Sequence, residues 1–217
     1  MDFSVARRHM VDCQIRPNQV TDENLISQFE TVPRERFAPS DQQALAYLDA
    51  DLPIAENRRL MNPCIMARML QTLSEGNSGI ALVVGCGSGY VVAVLSGMFD
   101  CVFALESDPG LAAEATRVLS ELAVDNAVVV EGPLEGGWAK EGPYNAIFID
   151  GGVMDIPDGV SDQLADGGKL TAVTLDEGGT GRAVLLERRG ASVSRRTLFD
   201  AAIPPLKEFD KLAGFVF

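Results

Sequence analysis

Three observations predict an α/β fold, a doubly wound and mainly parallel sheet. From residue 79 onward, short apolar runs alternate with helical patterns. The first run, Ile80–Val84, leads into Gly85-Cys86-Gly87-Ser88-Gly89, and the second ends on an acid, Glu106. Strands alternating with helices at this spacing imply right-handed crossovers between parallel neighbours. A glycine turn after the first strand marks the Rossmann-like version of that sheet.

The elements follow in order. The first 62 residues form a helical extension, its patterns separated by Pro17, Pro33, Pro39 and Pro53. Thr21, followed by Asp22 and Glu23, reads as an N-cap with acids in the first turn. Leu25, Ile26 and Phe29 share one face of the helix that follows. Val32-Pro33 ends it, because a residue before proline avoids the helical region. Leu52-Pro53-Ile54 is extended. Pro63 opens another helix, with Ile65, Met66, Met69, Leu70 and Leu73 as its buried stripe. Residues 63–217 then form the core, one structural unit with residues 1–62. Its strands are Ile80–Val84, Cys101–Leu105, Ala127–Val130, Asn145–Ile149, Lys169–Val173, Ala183–Glu187 and Ala213–Phe217. Its helices are Gly89–Met98, Leu111–Leu122 and Val160–Leu164. The last strands are expected to make an antiparallel sheet edge.

Composition excludes several classes. Of 217 residues, 18 are basic and 31 acidic, a net charge of −13 that disfavours nucleic acid by long-range repulsion. No apolar run approaches the ~18 residues of a membrane span, and the start of the chain lacks the apolar core of a signal peptide. The four cysteines, Cys13, Cys64, Cys86 and Cys101, form no CxxC pair and have no histidine cluster beside them, so they read as reduced thiols of a cytoplasmic protein with no metal site. His9, the single histidine, follows Arg7 and Arg8 in a helix and reads as a surface residue.

The glycine turn narrows the ligand. A dinucleotide fingerprint starting at Gly85 needs glycine or alanine at position 90, which is Tyr90, and no Gly-Lys-Ser/Thr phosphate loop follows. The observed G-x-G-x-G favours S-adenosylmethionine, which carries no phosphate. Glu106, 17 residues beyond Gly89, is placed to accept ribose hydroxyls. Cys86 and Ser107 flank these positions. Glu131-Gly132 and Asp150 also fall at carboxyl ends of strands, where the crevice of such a sheet lies. Glu131 reads equally well as an adenine contact or a turn acid. Trp138 is a packing residue or an adenine flank, and Tyr90 packs beneath the turn.

Nearly the whole chain, about residues 4 to 206, resembles the protein-L-isoaspartate O-methyltransferases. The resemblance rests on Met10-Val11-Asp12-Cys13-Gln14-Ile15-Arg16, Val32-Pro33-Arg34-Glu35-Arg36-Phe37-Ala38-Pro39, Ala46-Tyr47-Leu48-Asp49, Leu52-Pro53-Ile54, the glycine turn, Gln163-Leu164-Ala165-Asp166-Gly167-Gly168 and Pro205-Leu206. It implies methyl transfer from S-adenosylmethionine to the α-carboxylate of isoaspartyl residues in damaged proteins, the ester then collapsing to a succinimide. It also carries donor contacts onto Gly85, Gly87, Gly89, Glu106, Glu131 and Gly132. The sequence departs from the family pattern twice. A serine that contacts the substrate carboxylate is replaced by Met61, and an acid two residues before the turn by Val83. Arg59 and Asn62 are the nearby groups expected to take over the carboxylate, and Arg58, beside them, can also pair with it. Two other readings stay open, a methyltransferase with a different carboxylate or small-molecule acceptor, and a non-catalytic homologue. Nothing in the sequence speaks to oligomeric state.

Overall fold

The computed structural model describes residues 1–74, 78–178 and 180–209. Two strands, β1 (Leu52–Ala55) and β2 (Arg58–Leu60), pair as a small antiparallel hairpin ahead of the main sheet. The main sheet contains β3 (Ile80–Val84), β4 (Cys101–Glu106), β5 (Ala127–Glu131), β6 (Tyr144–Val153), β7 (Leu164–Leu175), β8 (Gly181–Arg189) and β9 (Ser192–Asp200). Their order is β5-β4-β3-β6-β7-β8-β9, with the first five parallel and β8 and β9 antiparallel. Chain order reverses between β3 and β6, the switch point at which an open α/β sheet leaves a crevice.

The period of two in the apolar runs sorts the core onto two faces. Ala81 and Val83 of β3, with Ala146 and Phe148 of β6, face one side. That side is covered by α1 (Phe3–Met10), α2 (Glu23–Thr31), α3 (Pro63–Gln71), α4 (Tyr90–Ser96) and α5 (Pro109–Glu121). Leu82, Val84, Ile147 and Ile149 face the other side, covered by short turns, α6 (Asp158–Ser161) and residues 203–209. Val83, where the family pattern has an acid, is fully buried in the first layer.

Local chemistry sets the ends of the elements. Asp22 rather than Thr21 caps α2: its Oδ1 accepts from Leu25 N at 2.9 Å, while the Thr21 N–H donates to Gln71. Pro63 is the first residue of α3, and Met66, Met69, Leu70 and Leu73 are buried as the helical period requires, with Ile65 half-buried. The antiparallel edge is present, but its outer strand is Ser192–Asp200. The expected strand Ala213–Phe217 lies outside the described residues. β9 escapes an apolar pattern because it is an edge whose first six residues are exposed.

Candidate functional site

Gly85 and Cys86 both donate their N–H groups to the Leu105 carbonyl, at 2.8 and 3.1 Å, which hooks the turn after β3 onto the end of β4. Gly85, Gly87 and Gly89 have φ of +74°, +54° and +95°, the left-handed region that glycine enters without a Cβ penalty. Cys86 is buried on the helical side, and burial pushes its thiol well above the ordinary range. Only its backbone can face a ligand. Tyr90 packs beneath the turn against Phe37 and Phe29, ring centroids 5.5 and 6.2 Å away.

Glu106 stands at the carboxyl end of β4 with no exposed surface. Its Oε2 accepts from the Gly87 N–H at 2.8 Å. Its Oε1 accepts from the N–H groups of Ser107 and Asp108, at 2.8 and 3.0 Å, and from Arg58 Nη2 at 3.1 Å. Arg58 reaches in from β2 and also donates to Ser107 Oγ at 2.9 Å and to Glu208 Oε1 at 2.5 Å. Burial opposes the charge on Arg58, but the Glu208 hydrogen bond and Glu106 outweigh it and hold its pKa above the usual value. Burial likewise works against the Glu208 carboxylate, and hydrogen bonds from Arg58 and Ser107 hold its pKa below the usual range.

The segment carrying Glu208 lies across the carboxyl ends of the central strands. Gly152 N donates to Pro204 O at 3.0 Å, and Leu206 N donates to Gly152 O at 2.8 Å. Leu206 is buried with Val84, Leu105, Leu134 and Ile149. A Cβ on Gly85 would lie 3.2 Å from the Leu206 side chain, and one on Gly151 2.5 Å from it. The leucine therefore fills the space left by two glycines.

Asp150, at the same strand ends, has a buried Oδ1 with no hydrogen-bond partner. Burial, partly offset by Arg34, pushes its pKa up to about 8. With Arg59, Met61, Gly151 and Leu206 it lines a small niche. The niche shares Ile203 and Pro204 with an open groove of about 580 Å³ that also touches Asp51, Met154 and Leu175. Met61 is 1% exposed. Asn62 is committed elsewhere: its Oδ1 caps α3, accepting from Cys64 N and Ile65 N, and its Nδ2 donates to Asp49. Arg59 is thus the better placed of the two groups expected to meet a carboxylate. Glu131 is exposed at the end of β5, in register with Glu106 on the neighbouring strand. Gly132 donates its N–H to Glu106 O at 3.1 Å, and Trp138 lies 3.6 Å from where its Cβ would be.

Sequence reading missed the roles of Arg34 and Glu208, and it offered Arg58 to a substrate carboxylate, whereas the structure pairs it with Glu106 and Glu208. Arg34 is fully buried, donates to Ala46 O and Met61 O at 2.6 Å each, and places its guanidinium 4.7 Å from the Tyr90 ring centroid. Its signal was its position inside the Val32–Ala38 run. Arg58 and Glu106 are 48 residues apart, and no local pattern links them.

By type these residues fit S-adenosylmethionine. Three left-handed glycines keep side chains off the turn, and a ribose would offer Glu106 hydroxyl donors in place of the Arg58 guanidinium.

The family model for protein-L-isoaspartate(D-aspartate) O-methyltransferase matches residues 6–207. A protein-L-isoaspartate O-methyltransferase of Geobacter metallireducens is 36% identical over 170 residues, 78% of this chain and 79% of that protein. One from Opitutus terrae is 32% identical over 199 residues, covering 92% and 85%. A solved structure of a protein-L-isoaspartate O-methyltransferase superposes with a TM-score of 0.81 at 21% identity, over 92% of this chain and 65% of that one, just under two thirds of its length. A Plasmodium falciparum chain described as a protein-L-isoaspartate O-methyltransferase in complex with S-adenosyl-L-homocysteine gives 0.74 at 18% identity, covering 96% and 99%. The two structures attest the Rossmann-like fold.

Proposed function

The chain belongs to the protein-L-isoaspartate(D-aspartate) O-methyltransferase family, and on that premise we propose that it methylates the free α-carboxylate of isoaspartyl residues in proteins, using S-adenosylmethionine. The observation that carries this reading is a fully buried acid, Glu106, in hydrogen-bond contact with the glycine turn through Gly87.

When bound, S-adenosylmethionine supplies an electrophilic sulfonium methyl group. Glu106 would hold the ribose, with Gly85, Cys86, Gly87 and Gly89 presenting backbone, Ser107 and Gly132 flanking, and Glu131 at the rim. The acceptor carboxylate, with a pKa near 4, is ionised at pH 7 and needs no general base. The protein's work is therefore placement, able to supply up to about 7–11 kcal/mol. Arg59 is the cation for the acceptor carboxylate, and Met61 walls the niche. Asp150, protonated below about pH 8, presents an O–H there rather than a repelling charge.

Residues 1–62 and 63–217 act as one unit in this reading, since Met10, Leu25 and Phe29 share a core with Met66, Val83 and Val91. Among the described residues, no helix is long and apolar enough to cross a membrane. The free thiols of Cys13, Cys64, Cys86 and Cys101 suit the cytoplasm. The charge of −13 disfavours nucleic acid as a partner.

The test is transfer of labelled methyl to an isoaspartyl peptide and to its aspartyl twin. Labelling of the first alone is expected. Labelling of neither, with S-adenosylhomocysteine still bound, would sink the isoaspartyl reading and favour a different acceptor in the niche walled by Met61.

A further inference from the structure

We propose that Arg58 and the segment 203–209 form a built-in competitor for the methyl donor, which enters only when the guanidinium leaves Glu106 and Leu206 lifts from the turn. The inference rests on the donor site argued above.

The first support is a count of acceptor sites. An ionised carboxylate offers about four lone-pair sites. Glu106 accepts from Gly87 N, Ser107 N, Asp108 N and Arg58 Nη2, all at 3.1 Å or less. Three of the four, Arg58 among them, crowd onto Oε1, so that oxygen has no site left for a ribose hydroxyl, and Arg58 is the one donor of the four that does not belong to the turns themselves. The second support is steric. Leu206 lies against the open faces of Gly85 and Gly151, the surfaces that lack of a Cβ frees for a ligand. The third is electrostatic. Glu208 binds both Arg58 and Ser107, tying the segment to the guanidinium that occupies Glu106. One ion-pair cluster therefore closes both halves of the site.

The closure can open. Its described main-chain hydrogen bonds to the sheet are the two at Gly152. The rest is the Glu208 cluster and the burial of Ile203, Leu206 and Phe209. Few attachments of this kind suit local opening well below the cost of global unfolding. Arg58 also leaves its own Nε buried without a partner, so its present place is imperfectly satisfied. Donor affinity is then the open-site affinity reduced by the fraction of molecules that are open.

The experiment is calorimetric titration of the full chain with S-adenosylhomocysteine, for wild type, Glu208→Gln and Leu206→Ala, with hydrogen exchange of the wild type in parallel. Loss of one charge-assisted bond to the segment should tighten binding about tenfold. Saturating S-adenosylhomocysteine should speed exchange of the Leu206 and Phe209 amides in the unaltered chain, a result that needs no variant to fold. Equal affinity in all three proteins, with exchange of those amides unchanged or slowed, would overturn the competition and leave the donor site standing. No binding by any of them at about 1 mM would overturn the donor site and the competition with it.

Discussion

Glu106 and Arg58 form one ion pair, yet removing either should not cost the same. In Arg58→Met, Glu106 keeps three backbone N–H donors, and the partly exposed Glu208 can turn to water. The bonds Arg58 makes to Glu208 and Ser107 Oγ can be remade with water, so the uncompensated loss is the one charged hydrogen bond to the buried Glu106, about 1.5–3 kcal/mol. In Glu106→Gln, both oxygens of the carboxylate already accept from a backbone N–H, so either orientation of the new amide sets an NH₂ against a backbone N–H. The buried Arg58 is also left facing a neutral group. Breaking a buried pair in this way costs about 3–5 kcal/mol. Urea unfolding at pH 7 reads both, provided the m-value is unchanged. For a chain of this length 1 kcal/mol is about 2–4 °C of Tm, so losses of roughly 3–12 °C and 6–20 °C are expected. The double variant should cost about 1–2 kcal/mol less than the two singles together, because the orphaned arginine is gone. Equal losses from the two singles, or strict additivity in the double, would refute the reasoning.

Asp150 makes stability depend on pH. Its folded pKa is raised from 3.8 to about 8, so its contribution is complete below about pH 4 and is lost as pH rises through 8. Asp150→Asn should therefore gain on wild type between pH 5 and 8, by roughly 2–4 kcal/mol at about 1.4 kcal/mol per unit; urea midpoints that keep a constant gap across that range would contradict it. Arg59→Ala should raise KM for an isoaspartyl peptide by about 10- to 100-fold. Asn62→Ala should instead cost about 0.5–2 kcal/mol as a lost helix cap with KM little changed, and steady-state kinetics with melting curves would expose the reverse pattern. Gly89→Ala, at φ +95° with Ala115 Cβ 3.2 Å from the added carbon, should destabilise by about 1–3 kcal/mol. Gly159→Ala meets nothing within 4 Å in α6 and should be neutral or slightly stabilising; equal melting losses would argue against a turn that demands left-handed glycine.

The central parallel strands β3 and β6 were legible because each is buried on both faces and therefore apolar, as in Ala81–Val84 and Ala146–Ile149. The glycine turn was legible because its conformation excludes other residues, and Glu106 because its distance from the turn follows from one helix and one strand. β9 was not, since a strand exposed along most of its length carries no apolar period. The β1–β2 hairpin was half seen, as the extended Leu52–Ile54, because a three-residue return strand is too short to show alternation. The closure of the site was invisible for another reason. It joins Arg58, Glu106 and Glu208 across 48 and 150 residues, and a lone surface-looking arginine has no local sign of its partner. Asn62 illustrates the converse: a residue before Pro63 is first a helix cap, and the amide expected to meet a substrate is spent on Asp49.

The polar character of β9 has a consequence for where the sheet ends. An outermost strand offers unpaired N–H and C=O groups to any passing chain and invites edge-to-edge aggregation. Here Arg195 and Arg196 stand exposed in the middle of that strand. A second copy docking antiparallel, centre to centre, would bring arginines opposite arginines, a like-charge pairing that destabilises the ladder. The same polar, charged middle that hid the strand from its sequence also keeps the sheet from growing past it.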